Sequence, residues 1–260
     1  MIILGAGEGK RLRPLTENRP KCLIELFGKS LLQHQIEIFE ENGIEDISIV
    51  TGYKSDLINF PNVNYFKNEN FDTTNMVETL FCAEKKISNS TIVSYGDIIF
   101  ESKVLKKLID SEENISVVID KNWRKYWEMR FENPLDDAEN LILDSEGYIK
   151  KIGQKVSDYK EIEGQYIGLM KFQNKGIEYM KKYYHEAKNQ SKNGKNILNP
   201  SLEFKKSYMT DFIQGMINNK FQIKSVPIFN GWLEVDTVDD YNLYNKLRKE
   251  QKLDELISIN

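Results

Sequence analysis

Apolar positions along the chain fall into short runs that are separated by longer amphipathic stretches. In the first part of the chain this alternation predicts strands at 1–4, 47–51 and 91–95, with helices over 31–42 and 74–85 between them. Strands separated by helices are typical of βαβ units, in which the strands form a mostly parallel sheet. Gly43 directly follows the first helix and is a predicted C-cap.

The same alternation continues to the end of the chain. Further strands are predicted at 115–119, 149–152, 165–172 and 223–227, and further helices at 103–111, 175–188, 209–218 and 238–256. The segment 122–144 is rich in charged and aromatic residues and is predicted to form strands and loops laid over the sheet. The one stretch of linker-like composition, 189–196, is too short to separate domains. A single α/β domain over 1–260 is therefore expected.

Composition excludes several classes of protein. The 260 residues are 40% hydrophobic and 29% charged, which favours a substantial core over disorder. The net charge of -4 argues against nucleic-acid binding. No apolar run approaches membrane-spanning length and no signal peptide is readable, so we expect a cytoplasmic protein without a membrane partner. Two cysteines and two histidines are too few for a disulfide framework or a Cys/His metal cluster.

The most informative segment, LGAGEGKRLRPLTENRPKCL at 4–23, follows the first predicted strand. Its closely spaced glycines let the backbone approach a ligand, and consecutive N–H groups there can form an anion nest. Its glycines are Gly5, Gly7 and Gly9, and its cations are Lys10, Arg11, Arg13, Arg19 and Lys21. The spacing fits neither the dinucleotide fingerprint nor a P-loop. Because Pro14 and Pro20 interrupt any helix, the segment is predicted to be an extended loop around a polyphosphate, the alternative being a glycine turn before a solvated basic stretch.

This loop resembles the signature of the nucleotidyltransferases that activate sugar phosphates and related acceptors, Gly-x-Gly-x-x-x-Arg-Leu-x-Pro-Leu-Thr followed by Pro-Lys. The matching residues are Gly5, Gly7, Arg11, Leu12, Pro14, Leu15, Thr16, Pro20 and Lys21. The resemblance implies a single Rossmann-like nucleotidyltransferase domain with a mixed, mostly parallel central sheet flanked by helices. It further implies that Arg11 holds the β- and γ-phosphates and that Lys21 neutralises the α-phosphate. Residues 1–120 would mainly bind the nucleotide, 121–237 would mainly bind the acceptor, and 238–260 would form a C-terminal helix.

Two more segments supply carboxylates. Asp97 follows a strand, at the edge where open parallel sheets bind ligands. Alternation along a strand predicts that Glu234 and Asp236 share one face. The alternative for Asp97 is an exposed residue in a turn, and the alternative for Glu234 and Asp236 is the polar outer face of a strand. By the resemblance, Asp97 and Asp236 match the metal carboxylates of the family and would hold Mg²⁺, which suits an ion that takes its other ligands from phosphate and water. Glu234 would tune the site or contact the ligand.

The stretch NFDTTNMVETL at 70–80 resembles the Asn-rich helix entry of the phosphocholine cytidylyltransferase group, which includes phosphonate and phosphoglutamine cytidylyltransferases. It implies CTP as the nucleotide, with contacts from the residues that cap the helix. The implied nucleotide-binding residues are Leu4, Gly5, Ala6, Gly7, Glu8, Gly9, Lys10, Arg11, Lys21, Thr74, Asn75, Tyr95 and Gly96.

Similarity to this group continues through 127–144, 152–155 and 161–172. It implies that Lys155 grips the phosphoryl group of the acceptor. The implied acceptor-binding residues are Trp127, Arg130, Glu139, Lys155, Glu163, Tyr166, Trp232 and Glu234. Carboxylates and aromatic rings around one lysine suit an acceptor with a phosphate at one end and an amino or ammonium group at the other.

The resemblance as a whole implies an enzyme that transfers CMP from CTP to a small phosphorylated or phosphonate acceptor, such as phosphoglutamine or phosphocholine, for surface polysaccharide modification. Its implied catalytic residues are Arg11, Lys21, Asp97 and Asp236. An enzyme making a dTDP- or UDP-sugar is the main alternative, against which the segment 70–80 argues. The other alternative functions are a non-catalytic nucleotide-binding regulator and, more distantly, an oxidoreductase. The sequence predicts no oligomeric state.

Overall fold

The computed structural model describes residues 1–259. Its strands, in chain order, are β1 (Ile2–Gly5), β2 (Glu25–Leu26), β3 (Lys29–Ser30), β4 (Ile47–Thr51), β5 (Val63–Lys67), β6 (Ser90–Tyr95), β7 (Ile98–Phe100), β8 (Ile115–Asp120), β9 (Glu139–Leu143), β10 (Ile149–Lys155), β11 (Gln165–Gln173), β12 (Lys224–Ile228) and β13 (Trp232–Glu234). Its α-helices are α1 (Leu31–Glu41), α2 (Met76–Phe81), α3 (Ser102–Ile109), α4 (Trp123–Arg130), α5 (Lys175–Ser191), α6 (Met209–Asn218) and α7 (Val238–Lys249).

Seven strands form the central sheet in the order β12-β8-β11-β6-β1-β4-β5. Strand β1 runs parallel to β4 and β6, β4 runs parallel to β5, and β12 runs parallel to β8. Strand β11 is antiparallel to both of its neighbours. The predicted α/β fold with a mixed, mostly parallel sheet is therefore confirmed.

Apolar side chains cover both faces of this sheet. Consecutive residues of the central strands alternate between two buried clusters: Ile3 and Ile49 belong to one, whereas Ile2 and Val50 belong to the other. Successive side chains of a strand point to opposite faces, so a strand covered on both sides reads as a continuous apolar run. This is why the sequence pattern located these strands.

Local signals define the ends of the first helix. The Ser30 hydroxyl accepts a hydrogen bond from the N–H of Gln33 (3.1 Å), and the chain leaves the helix through Gly43, whose φ is +75°. The C-cap itself is Asn42, and the predicted glycine lies one residue beyond it, where a left-handed residue after a helix favours glycine.

Several predicted elements were wrong in type or length. The segment 122–144 contains α4, because Trp123, Tyr126 and Trp127 have helical spacing and bury one face. The helix predicted over 74–85 ends at Phe81, and the C-terminal helix ends at Lys249, each followed by a short 3₁₀ turn. Strand β5 was missed because its side chains are only partly buried. No helix among residues 1–259 is both long and apolar enough to cross a membrane.

The carboxyl ends of β1 and β6 lie side by side and form the floor of a cleft. A Cβ at Gly96, just after β6, would lie 2.7 Å from the carbonyl oxygen of Leu4, so only glycine allows this approach. The N–H of Val235, which follows β13, donates to the carbonyl of Asp97 (3.0 Å). Because β13 also pairs with β7, the two acidic segments that are distant in sequence reach the same cleft.

Candidate active site

The glycine loop after β1 forms one wall of the cleft. Gly9 has a φ of +69°, and a Cβ there would lie 2.9 Å from the Cβ of Lys21. The hydroxyl of Thr16 donates to the carbonyl of Gly9 (2.7 Å), and the N–H of Lys21 donates to the carbonyl of Gly7 (3.4 Å). The glycine loop therefore packs against Lys21. Within the described chain, the N–H groups of residues 7–10 make no backbone hydrogen bond, so they remain available to an anion.

Lys21 lies between the two aspartates that were predicted as metal ligands. Its Nζ is 2.7 Å from Oδ2 of Asp97 and 2.8 Å from Oδ1 of Asp236. Burial alone would lower the pKa of Lys21, but the two carboxylates outweigh it and raise that pKa above its ordinary value. Burial likewise opposes ionisation of Asp236, yet Lys21 and Arg11, which contacts it, hold its pKa below the usual range. The site therefore keeps its ammonium and this carboxylate charged at neutral pH.

One oxygen of this arrangement has no partner. Oδ1 of Asp97 is buried and makes no hydrogen bond to any group of residues 1–259. An uncommitted carboxylate oxygen next to a second carboxylate is a donor set that suits a hard divalent cation. No cluster of three His, Cys, Asp or Glu side chains occurs in residues 1–259. The two aspartates therefore fit a metal that completes its shell with phosphate and water.

Behind the aspartates lies a buried ion-pair network around Arg130. The Arg130 side chain is 1% exposed; it donates to Glu234 Oε2 (2.9 Å) and to both carboxylate oxygens of Asp240 (2.8 and 3.1 Å). Burial, with Asp236 and Asp97 nearby, raises the pKa of Glu234 to about 7 despite Arg130. The structure contradicts the implied acceptor contact of Arg130, because its guanidinium is buried, lines neither cavity described below and gives its hydrogen bonds to Glu234 and Asp240.

The cleft holds two adjoining cavities. A larger one, of about 420 Å³, is lined by Gly7, Glu8, Gly9, Lys10, Arg11, Lys21, Phe71, Asp72, Met76, Tyr95, Asp97, Glu234 and Asp236. A smaller one, of about 140 Å³, is lined by Leu4, Ala6, Gly7, Phe71, Thr74, Asn75, Met76, Thr79, Tyr95, Gly96 and Asp97. Of the nucleotide-binding residues implied by the sequence, all except Gly5 line one of these cavities.

The first turn of α2 closes the smaller cavity. Asn75 caps this helix, its side-chain oxygen accepting from the N–H of Met76 (2.9 Å). Phe71, Met76 and Thr79 also line the cavity, although the sequence had not singled them out. The signal that could have found them is their place within the same stretch 70–80.

Four implied acceptor residues, Glu139, Lys155, Glu163 and Tyr166, line neither of these two cavities. The rings of Tyr95 and Tyr166 meet edge to face, with centroids 5.6 Å apart. Burial raises the pKa of Tyr95 well above its ordinary value, and Tyr166, Glu139 and Asp97 all add to the shift. Glu139 is opposite Lys155 in the β9–β10 pair, and burial, reinforced by two aspartates, raises its pKa to about 7. Glu163, an exposed residue, donates its N–H to the carbonyl of Leu141 on β9 (2.8 Å).

The two implied acceptor-binding tryptophans are core residues. Trp127 is 4% exposed and Trp232 is 2% exposed, and both pack edge to face on Tyr126. The indole of Trp127 donates to Asp137 (3.1 Å) and that of Trp232 donates to Asp120 (2.9 Å). Their predicted role on the pocket wall is therefore wrong, because burial removes both rings from any bound molecule.

Glu234 and Asp236 were predicted to share one face because of alternation along a strand. The two side chains do face the same cavity, but strand alternation is not the reason. Strand β13 ends at Glu234, so Asp236 lies beyond it. Both side chains nevertheless line the larger cavity. Asp236 is held there by its own N–H, which donates to Asp240 (3.0 Å) at the start of α7.

Comparison with known proteins gives consistent matches. A family described as the MobA-like NTP transferase domain matches residues 1–148. The CTP:phosphoglutamine cytidylyltransferase of Campylobacter jejuni is 38% identical over 250 residues, which cover 92% of this chain and 96% of that protein. The choline-phosphate cytidylyltransferase of Streptococcus pneumoniae is 34% identical over 105 residues, which cover 39% of this chain and 46% of that protein.

Two solved structures share the fold. The CTP:phosphocholine cytidylyltransferase from Streptococcus pneumoniae has a TM-score of 0.70 at 21% identity and covers 96% of this chain and 98% of its own. The inositol-1-phosphate CTP transferase from T. maritima has a TM-score of 0.70 at 20% identity, with coverage of 99% and 97%. At these identities the likeness supports the fold alone.

Proposed function

The chain belongs to the MobA-like NTP transferase domain family and is therefore a nucleotidyltransferase, and we propose that it transfers CMP from CTP to a small phosphorylated or phosphonate acceptor that carries an amino group. Pyrophosphate is the leaving group. The proposal draws on the C. jejuni relative, whose name gives CTP and phosphoglutamine, and on the site described above. Residues 1–120 supply most of the nucleotide site, while Glu234 and Asp236 complete it from the other half.

The observation that carries the proposal is Lys21 held between Asp97 and Asp236 at the mouth of the glycine loop. The acceptor oxygen attacks the α-phosphorus in line, so the protein needs only to position the groups and stabilise charge. Lys21 stays cationic and neutralises the α-phosphate. Arg11 and the N–H groups of residues 7–10 hold the β- and γ-phosphates. A phosphate acceptor is already ionised at neutral pH, so no Ser/His/Asp or Cys/His set is required.

Asp97 and Asp236 would hold the divalent metal ion that nucleotidyltransferases generally use, and we assign it as Mg²⁺. When bound, the ion supplies charge neutralisation to the triphosphate. The unpartnered oxygen of Asp97 supports this assignment.

The acceptor would lie beyond Tyr95. Lys155 provides a cation for its phosphate, and Glu139, Glu163 and Tyr166 provide carboxylates and an aromatic wall for its amino group. Phosphoglutamine and phosphocholine both have this polarity. We further propose that the reaction takes place in the cytoplasm and serves surface polysaccharide modification.

Pyrophosphate release with each of the four NTPs, Mg²⁺ and either acceptor tests the proposal. We expect CTP to be preferred, and we expect Asp97→Asn and Asp236→Asn each to lower the rate by about 10² to 10³. Asp254→Asn, at an exposed position outside the cleft, is the matched control and should leave the rate unchanged. Circular dichroism checks that each variant folds.

Near-normal metal-dependent rates in either cleft variant would remove the two-carboxylate site from the hypothesis. A preference for UTP or dTTP with a neutral sugar phosphate would instead favour synthesis of a nucleotide sugar. Tight CTP binding without turnover on any acceptor would favour a nucleotide-binding regulator.

A further inference from the structure

A buried asparagine stands behind the smaller cavity. Asn68 follows β5, is 3% exposed and donates its N–H to the carbonyl of Thr51 (2.8 Å). Its side-chain Nδ2 donates to Oγ1 of Thr74 (2.8 Å) and to Oγ1 of Thr79 (2.9 Å). Both threonines line the cavity, whereas Asn68 itself does not.

Backbone groups fix the direction of every hydrogen bond in this network. Oδ1 of Asn68 accepts from the N–H of Asn70 (3.0 Å), and a backbone N–H can only donate. The other end of the Asn68 amide is therefore its NH₂ group, which must donate to the two threonines. The Thr74 hydroxyl donates to the carbonyl of Asn70 (2.8 Å), and the Thr79 hydroxyl donates to the carbonyl of Asn75 (3.0 Å). A carbonyl can only accept.

In this arrangement the hydroxyl of each threonine can make a further hydrogen bond only as an acceptor. A hydroxyl has one hydrogen and two lone pairs. In Thr74 and Thr79 the hydrogen is given to a carbonyl and one lone pair is taken by Asn68. The remaining capacity of each is to accept. Because both oxygens lie within hydrogen-bond distance of one nitrogen atom, the cavity wall presents two acceptors close together.

We propose that Asn68 is a positioning residue that sets the base preference of the site by holding Thr74 and Thr79 as paired acceptors for the primary amino group of cytosine; this rests on the proposed use of a nucleotide in this cleft. Cytosine has a 4-amino group with two hydrogens, whereas uracil has a carbonyl oxygen at that position. That oxygen would face two acceptors and remain without a hydrogen bond, which is costly in a closed site. Adenine also carries an amino group, but the small cavity favours a pyrimidine.

The test measures CTP and UTP in parallel, by calorimetry with Mg²⁺ and no acceptor, and by kcat/KM with acceptor. We expect Asn68→Ala to lower the preference for CTP over UTP by about tenfold or more, since the two hydroxyls lose the NH₂ group that holds their oxygens side by side as acceptors. Asn64→Ala is the matched control: Asn64 lies on β5, just before Asn68 in the chain, and donates to Asp46 and Ile47, away from the cavity. It should keep the wild-type preference. An unchanged preference in a folded Asn68→Ala protein would overturn the proposal.

A second pair of variants serves if Asn68→Ala does not fold. Thr79→Val removes one acceptor without changing the size of the side chain, and it should weaken CTP binding while hardly changing UTP binding. Thr79→Ser keeps the hydroxyl and should restore the preference. Equal effects of Thr79→Val on both nucleotides would also overturn the proposal. Because calorimetry needs no acceptor, a wild-type protein that prefers CTP but transfers nothing contradicts only the proposed function.

Discussion

Replacing Arg130 by methionine should destabilise the fold much more than it changes substrate binding. The substitution removes three charge-assisted hydrogen bonds and leaves Asp240, which is 3% exposed, without its cation. Breaking a buried ion pair by removing one partner costs about 3 to 5 kcal/mol. Two local features place the cost of Arg130→Met at the lower end of this energy range. Asp240 still accepts from the N–H groups of Asp236 and Thr237, and Glu234, whose pKa is already about 7, can take up a proton.

The assay is denaturant unfolding, with Arg124→Met as the matched control on the same helix. Arg124 is 59% exposed and pairs with Glu128 one turn away, so its replacement should cost less than about 0.5 kcal/mol. Arg130→Met should lower the free energy of unfolding by about 3 kcal/mol while the KM for the acceptor stays near that of wild type. Equal stabilities of the two variants, together with a raised acceptor KM for Arg130→Met, would refute this reasoning and restore the acceptor contact that the sequence resemblance implied.

Four further variants test the site. Lys21→Ala should lower the maximal rate by about 10² to 10³ and weaken CTP binding less, because charge at the α-phosphate develops in the transition state; calorimetry showing lost affinity at an unchanged rate would make Lys21 an anchor. Lys155→Ala and Glu163→Gln should raise the KM for the acceptor and hardly change that for CTP, so a rise for CTP alone would place them on the nucleotide. Glu139 has a pKa raised from 4.5 to about 7, so ionising it disfavours the folded state as the pH rises through that range. Glu139→Gln should therefore stabilise the protein by about 1 to 3 kcal/mol at pH 8 and by much less at pH 5, as measured by denaturant unfolding, and equal gains at both pH values would contradict this.

Local sequence signals predicted the sheet and brought together most of the residues that line the glycine-loop side of the cleft. Strands such as β4 (Ile47–Thr51) are buried on both faces, so their apolar runs are unambiguous. The glycine loop could be read because its chemistry lies within one short segment, and all but one of its predicted nucleotide residues line the cleft. Strand β5 (Val63–Lys67) was missed because a partly buried strand lacks this signal.

The acceptor side was harder to predict because it depends on tertiary packing. An aromatic ring near a cluster of carboxylates has the same sequence signal whether it lines a pocket or fills the core, and Trp127 and Trp232 fill the core. Arg130 is committed to Asp240, a partner 110 residues away that no local pattern connects to it. The hydrogen-bond network of Asn68 with Thr74 and Thr79 could not be predicted from the sequence either. The direction of its hydrogen bonds is set by backbone groups that only the fold brings together.

Mass spectrometry of the product formed from CTP, Mg²⁺ and a mixture of phosphorylated small molecules is the decisive measurement for the proposed CMP transfer. The mixture should contain phosphoglutamine, phosphocholine and neutral sugar 1-phosphates at equal concentration. We expect a CMP conjugate of an amino-bearing acceptor, formed together with one equivalent of pyrophosphate and absent with Asp97→Asn. Conversion of only the neutral sugar phosphates, or no CMP conjugate from a folded wild-type protein that binds CTP, would contradict it.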